Sequence, residues 1–193
     1  MADPVLHLLA GPNGAGKSKL FAEVIGPATH LQLINADELA AQRWPEDPEG
    51  RSYDAAVIAA ERRAELIAAR ASFVTETVFS HESKVELVKQ ASAAGYLVTL
   101  HVVLVPEELA VARVTKRVEH GGHAVPEDKV RARFRRLWPL VTEAIAVANA
   151  ALVYDNSKIQ PAFRLVATFD HGALVGSVDL PQWAPPALRK LVP

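Results

Sequence analysis

The 193-residue chain has no cysteine, one methionine, and only 6% aromatic residues. Without cysteine there is no disulfide framework, no thiolate nucleophile and no cysteine zinc site. That is compatible with the cytosol, and a cytoplasmic location is the expectation. Neither sign of charge dominates. Lysine and arginine number 21 against 22 aspartates and glutamates, for a formal net charge of −1, so no global field draws the chain to nucleic acid or an anionic membrane. No stretch approaches the ~20 apolar residues of a membrane span. The start, Met1-Ala2-Asp3-Pro4, lacks the positive region of a secretory signal. What is present is a globular composition, half hydrophobic and 22% charged, and a length suited to one sizeable core. We expect a single domain over residues 1–193.

The most informative segment is Gly11-Pro12-Asn13-Gly14-Ala15-Gly16-Lys17-Ser18, a complete G-x-x-x-x-G-K-[ST] phosphate loop. An apolar run over 5–10 precedes it and a helical pattern including Lys19 follows. Strand, glycine loop and helix form the context in which this motif binds nucleotides. The loop's N–H groups and the helix N-terminus would cradle phosphates. Lys17 would reach the β- and γ-phosphates of ATP or GTP, and the Ser18 hydroxyl would hold Mg²⁺.

Apolar runs alternate with helical patterns along the chain, the signature of a parallel sheet with crossover helices. Strands are expected at 5–10, 31–34, 72–77, 96–105 and 151–154. Helices are expected over 53–71, from a Ser80 cap to about 95, from Pro106 to about 119, and from 127 to about 150. Residues 163–169 and 173–178, joined by Asp170-His171-Gly172, read as a β-hairpin. The proline-rich tail reads as irregular. The fold class is therefore α/β: a P-loop NTPase with a nucleoside-monophosphate-kinase-like, parallel five-stranded sheet flanked by helices, and a C-terminal hairpin and tail over 160–193.

Polar residues at strand C-termini are the next candidates, because ligands of open α/β sheets bind there. Asp37 follows the second strand. If that strand lies beside the first, Asp37 faces the γ-phosphate, where it could accept the proton of an attacking hydroxyl or help position Mg²⁺. The bland alternative is helix capping, with Asn35 as the cap and Glu38 three residues on. Glu76, in Thr75-Glu76-Thr77, could bind substrate hydroxyls, stand behind the Mg²⁺ waters, or be a solvated loop carboxylate. Thr77 could add a hydrogen bond.

Residues 113–136 are basic, with Arg113, Lys116, Arg117, Lys129, Arg131, Arg133, Arg135 and Arg136 around a Gly121-Gly122 turn. Two arginine-bearing helices on a glycine hinge suit a lid that closes over a triphosphate, where guanidinium groups neutralise the transferring phosphoryl. The alternatives are a solvated helix face paired with local carboxylates, and a nucleic-acid patch. The patch lacks an aromatic stacking platform. His120 and His123 have metal-like spacing but no third ligand, and read as turn residues.

These motifs taken together resemble the zeta toxin family of P-loop kinases, in its stand-alone ABC-type ATPase-like branch. The resemblance rests on the phosphate loop, Asn35-Ala36-Asp37, Phe73-Val74-Thr75-Glu76-Thr77, the run from Arg117 through Gly121-Gly122-His123-Ala124-Val125-Pro126, and Asp155-Asn156-Ser157. It implies ATP-dependent phosphorylation of a small-molecule hydroxyl, in the toxins the 3′-hydroxyl of the amino sugar in UDP-N-acetylglucosamine. By that resemblance Asp37 is the catalytic base and Glu76 a ligand of the sugar nucleotide. Arg117 with Arg133 or Arg136 would neutralise the γ-phosphate, and Asn156 and Ser157 would lie near the adenine. A nucleotide sugar is the implied substrate and a separate antitoxin protein the implied partner.

Two departures from the family pattern stand out. Position 19 is lysine where threonine is usual. No arginine follows the Glu-x-Thr in Glu76-Thr77-Val78-Phe79-Ser80, which leaves Lys84 as a candidate replacement. Competing classes are a nucleotide-gated switch acting through a partner and a 5′-hydroxyl nucleic-acid kinase. An ABC- or SMC-type ATPase is disfavoured, since the chain has no Leu-Ser-Gly-Gly signature.

Overall fold

The computed structural model describes residues 3–119 and 125–192. His120, Gly121, Gly122, His123 and Ala124 of the expected lid turn lie outside them. The strands are β1 (Val5–Ala10), β2 (Leu33–Ile34), β3 (Phe73–Thr77), β4 (Leu97–Leu104), β5 (Ala150–Asp155), β6 (Arg164–Asp170) and β7 (Ala173–Val175). They form one sheet in the order β2-β3-β1-β4-β5-β6-β7. From β2 to β5 every pairing is parallel, while β5–β6 and β6–β7 are antiparallel. The expected five-stranded parallel sheet is present, and the C-terminal hairpin extends it through β6 rather than standing apart.

Central strands of a parallel sheet are covered on both faces and so carry continuous apolar runs rather than alternation. Accordingly Leu6, Leu8, Leu9 and Ala10 of β1 and Val102, Val103 and Leu104 of β4 are all fully buried. One face packs against α5 (Ser83–Ala93) and α7 (Glu127–Val147) through Val85, Val88, Leu137, Val141 and Ile145. The other packs against the helix after the phosphate loop and against α6 (Glu107–Glu119), through Leu20, Ile25 and Ala110. The loop helix runs α1 (Lys17–Leu20), a π-helical turn (Phe21–Ile25) and α2 (Gly26–Thr29). Pro27 has no N–H to give and its ring crowds the preceding turn, so the ladder widens just before it, with Gly26 N–H donating to Phe21 O.

Three sequence expectations change. Ser80 does not cap α5, which starts at Ser83 after Glu82. Phe79, at φ 64°, turns the chain first, and its N–H donates to Thr77 Oγ1 at 3.1 Å. The helix expected over 53–71 is α4 (Ser52–Ala68), and it stops ahead of Arg70, which is left-handed at φ 52°. The tail contains a short helix, α8 (Pro186–Arg189), whose Leu188 is buried in the main core.

A polar chain crosses the sheet away from the phosphate loop. His101 Nε2 lies 3.0 Å from His7 Nδ1, and His101 Nδ1 lies 3.3 Å from Tyr154 Oη. Burial, with His7 alongside, holds the His101 imidazole down to about 3. A neutral native His101 means that between pH ~6.5 and ~3 the unfolded chain binds the extra proton, so stability falls as pH falls through that window. The slope from this one group reaches about 1.4 kcal/mol per pH unit. His101→Phe is expected to flatten the acid limb of stability by about one proton, read by urea denaturation at a series of pH values. An unchanged slope would place the acid sensitivity elsewhere.

Candidate functional site

The phosphate loop bridges β1 and α1. Gly14 and Gly16 take φ values of 76° and 94°, a region that favours glycine. A Cβ on Gly16 would stand 2.6 Å from Asn156 Nδ2, and one on Gly14 would stand 2.5 Å from the Ala110 carbonyl oxygen. Neither position tolerates a side chain, so the loop's backbone is held open as a cradle. Ala15 N–H donates to Pro12 O at 3.2 Å and Leu20 N–H to Gly16 O at 2.9 Å. Arg113 Nη1 reaches Gly14 O at 3.4 Å from α6.

Lys17 is buried, and its ammonium donates to Pro12 O at 3.1 Å and lies 3.7 Å from Glu76 Oε1. Burial pushes that ammonium down from its usual range, against the pull of Glu76 and then Asp37, while Arg117 adds to the push. Ser18 Oγ donates to Glu76 Oε2 at 2.9 Å, and Asn35 Nδ2 donates to the same oxygen at 3.3 Å. Glu76 is thus the shared acceptor of the site. Its place follows from strand order, because β3, not β2, is the neighbour of β1. The condition set for Asp37, that the second strand lie beside the first, is not met.

Asp37 reaches the site by another route. It lies in the first turn of α3 (Ala36–Arg43), capped by Asn35, whose Oδ1 accepts the Asp37 N–H at 2.9 Å. The cap is Asn35, and the Asp37 side chain lines the cleft. Glu38 beside it is pushed up by burial and by the carboxylates of Glu76 and Asp37.

The cleft of about 960 Å³ begins at the phosphate loop and continues past Asp37, Glu76 and Thr77 to the wall of α4. Arg117 on α6, Lys129 and Arg133 on α7, and Lys19 also line it. Arg136 is exposed and is not among the lining residues. It lies beyond the turn from Lys129 to Arg133. The rest of the basic run divides by partner. Arg131 binds both oxygens of Glu108, at 2.6 and 2.8 Å, and also Glu107 and Glu127, and Arg135 pairs with Glu107. The pairs with Glu107 and Glu108 tie α6 to α7.

Asn156 and Ser157, expected near the adenine, do not line the cleft. Asn156 is buried, and its amide donates to Ala15 O at 2.8 Å, bracing the loop from the end of β5. Ser157 N–H donates to Asp155 Oδ1 at 2.8 Å. Removing the brace leaves a buried carbonyl unpaired, so Asn156→Ala is expected to cost about 1–3 kcal/mol of stability. A urea midpoint unchanged from the parent would contradict this.

The sequence reading missed Arg63. It lies in α4, is 7% exposed, and lines the cleft. A signal was available: Ala55, Ala59 and Arg63 recur at a spacing of four, which puts a charge on the helix's buried stripe. Among the described residues no group of three or more His, Asp or Glu side chains could hold a metal by itself. No described helix is long and apolar enough to cross a membrane.

The parallel sheet, the glycine cradle at the end of β1, and the lysine and serine behind it define a P-loop domain of the α/β class. Residues 6–140 match the family described as AAA domain (AAA_33), and the chain belongs to that family. It is similar to an uncharacterized protein of Haemophilus influenzae, at 31% identity over 125 residues, which cover 64% of this chain and 88% of that one.

Among solved structures it resembles the complex of AvrRxo1-ORF1 and AvrRxo1-ORF2 with ATP, at TM-score 0.71 and 17% identity, covering 92% of this chain and 61% of that one. It also resembles the PezAT chromosomal toxin-antitoxin system of Streptococcus pneumoniae, at TM-score 0.63 and 15% identity over 86% of this chain and 72% of that one. A gluconokinase from Sinorhizobium meliloti matches at TM-score 0.52 and 18% identity, over 82% and 86%. At these identities the likeness is one of fold.

Proposed function

We propose that the protein is a zeta-toxin-like kinase that transfers the γ-phosphoryl group of ATP to a hydroxyl of a small molecule. UDP-N-acetylglucosamine is the leading acceptor. The observation that carries this reading is the length of the cleft. It does not end at the phosphate loop but runs past Asp37 to α4, which provides a chamber for an acceptor. A nucleotide switch needs no such chamber.

Gly14, Gly16 and Lys17 would hold the phosphates, the open loop backbone supplying N–H donors. Ser18, with Glu76 behind it, offers oxygen ligands suited to Mg²⁺, which would supply charge neutralisation at the phosphates. Asp37 takes the proton of the acceptor hydroxyl as its oxygen bonds to the γ-phosphorus and the bond to ADP breaks. Arg117 and Arg133 stabilise the charge that builds on the transferring group. Residues 113–136 would act as the lid that closes over it.

Support for the kinase reading comes from the fold shared with a gluconokinase, and for ATP from the fold shared with an ATP complex. The likeness to the PezAT toxin-antitoxin system supports a separate antitoxin partner. The test is transfer of labelled γ-phosphate to UDP-N-acetylglucosamine, with other nucleotide sugars and small alcohols in parallel. A labelled acceptor is the expected product. Release of free phosphate alone, indifferent to every acceptor, would overturn the kinase reading in favour of a partner-coupled switch.

A further inference from the structure

The far wall of the cleft carries positive charge with no carboxylate partner among the described residues. Arg63 projects from α4, and Lys84 from the first turn of α5. Both line the same cavity as Asp37. Arg63 is 7% exposed, and among the described residues no hydrogen bond or ion pair joins it or the Lys84 ammonium to a carboxylate. By contrast, Arg131 on α7 gathers three glutamates, although its side chain is 26% exposed. Burial holds the Arg63 guanidinium below its usual range. Burial and then Arg63 do the same for the Lys84 ammonium.

An unpaired buried cation is costly, and a second cation facing it adds repulsion. Packing alone does not account for the arrangement, because an apolar side chain at position 63 would continue the Ala55–Ala59 stripe at lower cost. Both costs disappear when an anion sits between the two groups. Arginine offers a planar fork of donors that matches carboxylate and phosphate oxygens, and lysine adds a point charge.

We propose that Arg63 and Lys84 form an anion subsite that holds a phosphate or carboxylate group of the acceptor while its hydroxyl faces Asp37. The substrate class is then a hydroxyl compound carrying an anionic group, and a neutral alcohol or free sugar is excluded. This rests on the kinase reading only in treating the cleft beyond Asp37 as the acceptor chamber.

The test keeps the two apart by measuring binding without turnover. The phosphate loop is first filled with Mg²⁺ and a non-hydrolysable ATP analogue. Inorganic phosphate and, separately, acetate are then titrated calorimetrically. One of the two anions is expected to bind, and to lose at least tenfold in affinity in Arg63→Met and in Lys84→Met, with analogue affinity unchanged. Phosphate binding alone would assign a phosphorylated acceptor, and acetate binding alone an acid.

Arg63→Met is also expected to raise Tm, since it removes an unpaired buried charge, whereas a structural arginine would lower Tm when removed. Absence of binding by both anions, or equal binding by parent and variants, overturns the subsite. Arg63-dependent binding in a protein that phosphorylates no acceptor would leave the subsite standing and overturn the kinase reading instead.

Discussion

Asp37→Ala is expected to lower phosphoryl transfer by about 10²- to 10⁴-fold, the usual span for loss of a positioned general base, while nucleotide affinity stays near that of the parent. The reason is geometric. Asp37 lines the cleft from the first turn of α3 and is close enough to Lys17 to raise its proton affinity, yet among the described residues no hydrogen bond to its carboxylate helps to build the phosphate loop. Its backbone N–H makes the capping bond to Asn35, so the helix start survives truncation of the side chain. Loss of the group therefore removes chemistry without removing the cradle. Single-turnover transfer and a separate nucleotide titration check the two halves. Transfer at near the parental rate would show that another group takes the proton, with Glu38, which also lines the cleft, a candidate.

Lys17→Ala is expected to abolish tight nucleotide binding and, with it, transfer. Lys17 is buried, and its one charge lies between Pro12 O and Glu76. In a water-poor site this is the group best placed to meet the β- and γ-phosphates. Its removal also leaves Glu76 without its cation, so an incoming triphosphate meets an uncompensated carboxylate beside Asp37. Both changes act against binding. Isothermal titration with ATP and Mg²⁺ measures the loss, and retained tight binding would refute the role given to Lys17. The Tm of the variant serves as a check that the fold is intact.

How much of this was legible beforehand depended on whether the signal was local. The alternation of strands and helices and the strand–loop–helix around the glycines are written in adjacent residues, and the structure has both; the Asn35 cap, one of two alternatives for that segment, is present as well. Strand order is not local, and it decided where Asp37 and Glu76 went. The insertion of β3 between β1 and β2 places Glu76 against Ser18 and sends Asp37 in through a helix instead of a strand end. Ser80 had the right residue type for a cap, but the turn at Phe79 delays the start of α5 by two residues. The basic run could not be divided by composition. Arg131 turns to glutamates and Arg133 to the cleft, because two positions along a helix face different neighbours. Arg63 was hidden among the alanines of α4, where its meaning depends on what the helix packs against.

The brace from Asn156 to Ala15 also bears on where the working unit of this chain ends. The family match stops at residue 140, inside α7. Yet β5 lies along β4 from Thr99 to Leu104, and the residue after it, Asn156, grips the phosphate loop. A fragment trimmed to the matched span would bare the flank of β4, a row of unpaired amides beside Leu100, Val102 and Leu104, and an open edge of that kind recruits other chains. It would also remove the Asn156 bond to the loop, and Phe163, which packs against the cluster holding Ala15. The span of the family match is therefore shorter than the span that braces the phosphate loop, and the last quarter of the chain, though it does not line the cleft, holds that loop in place.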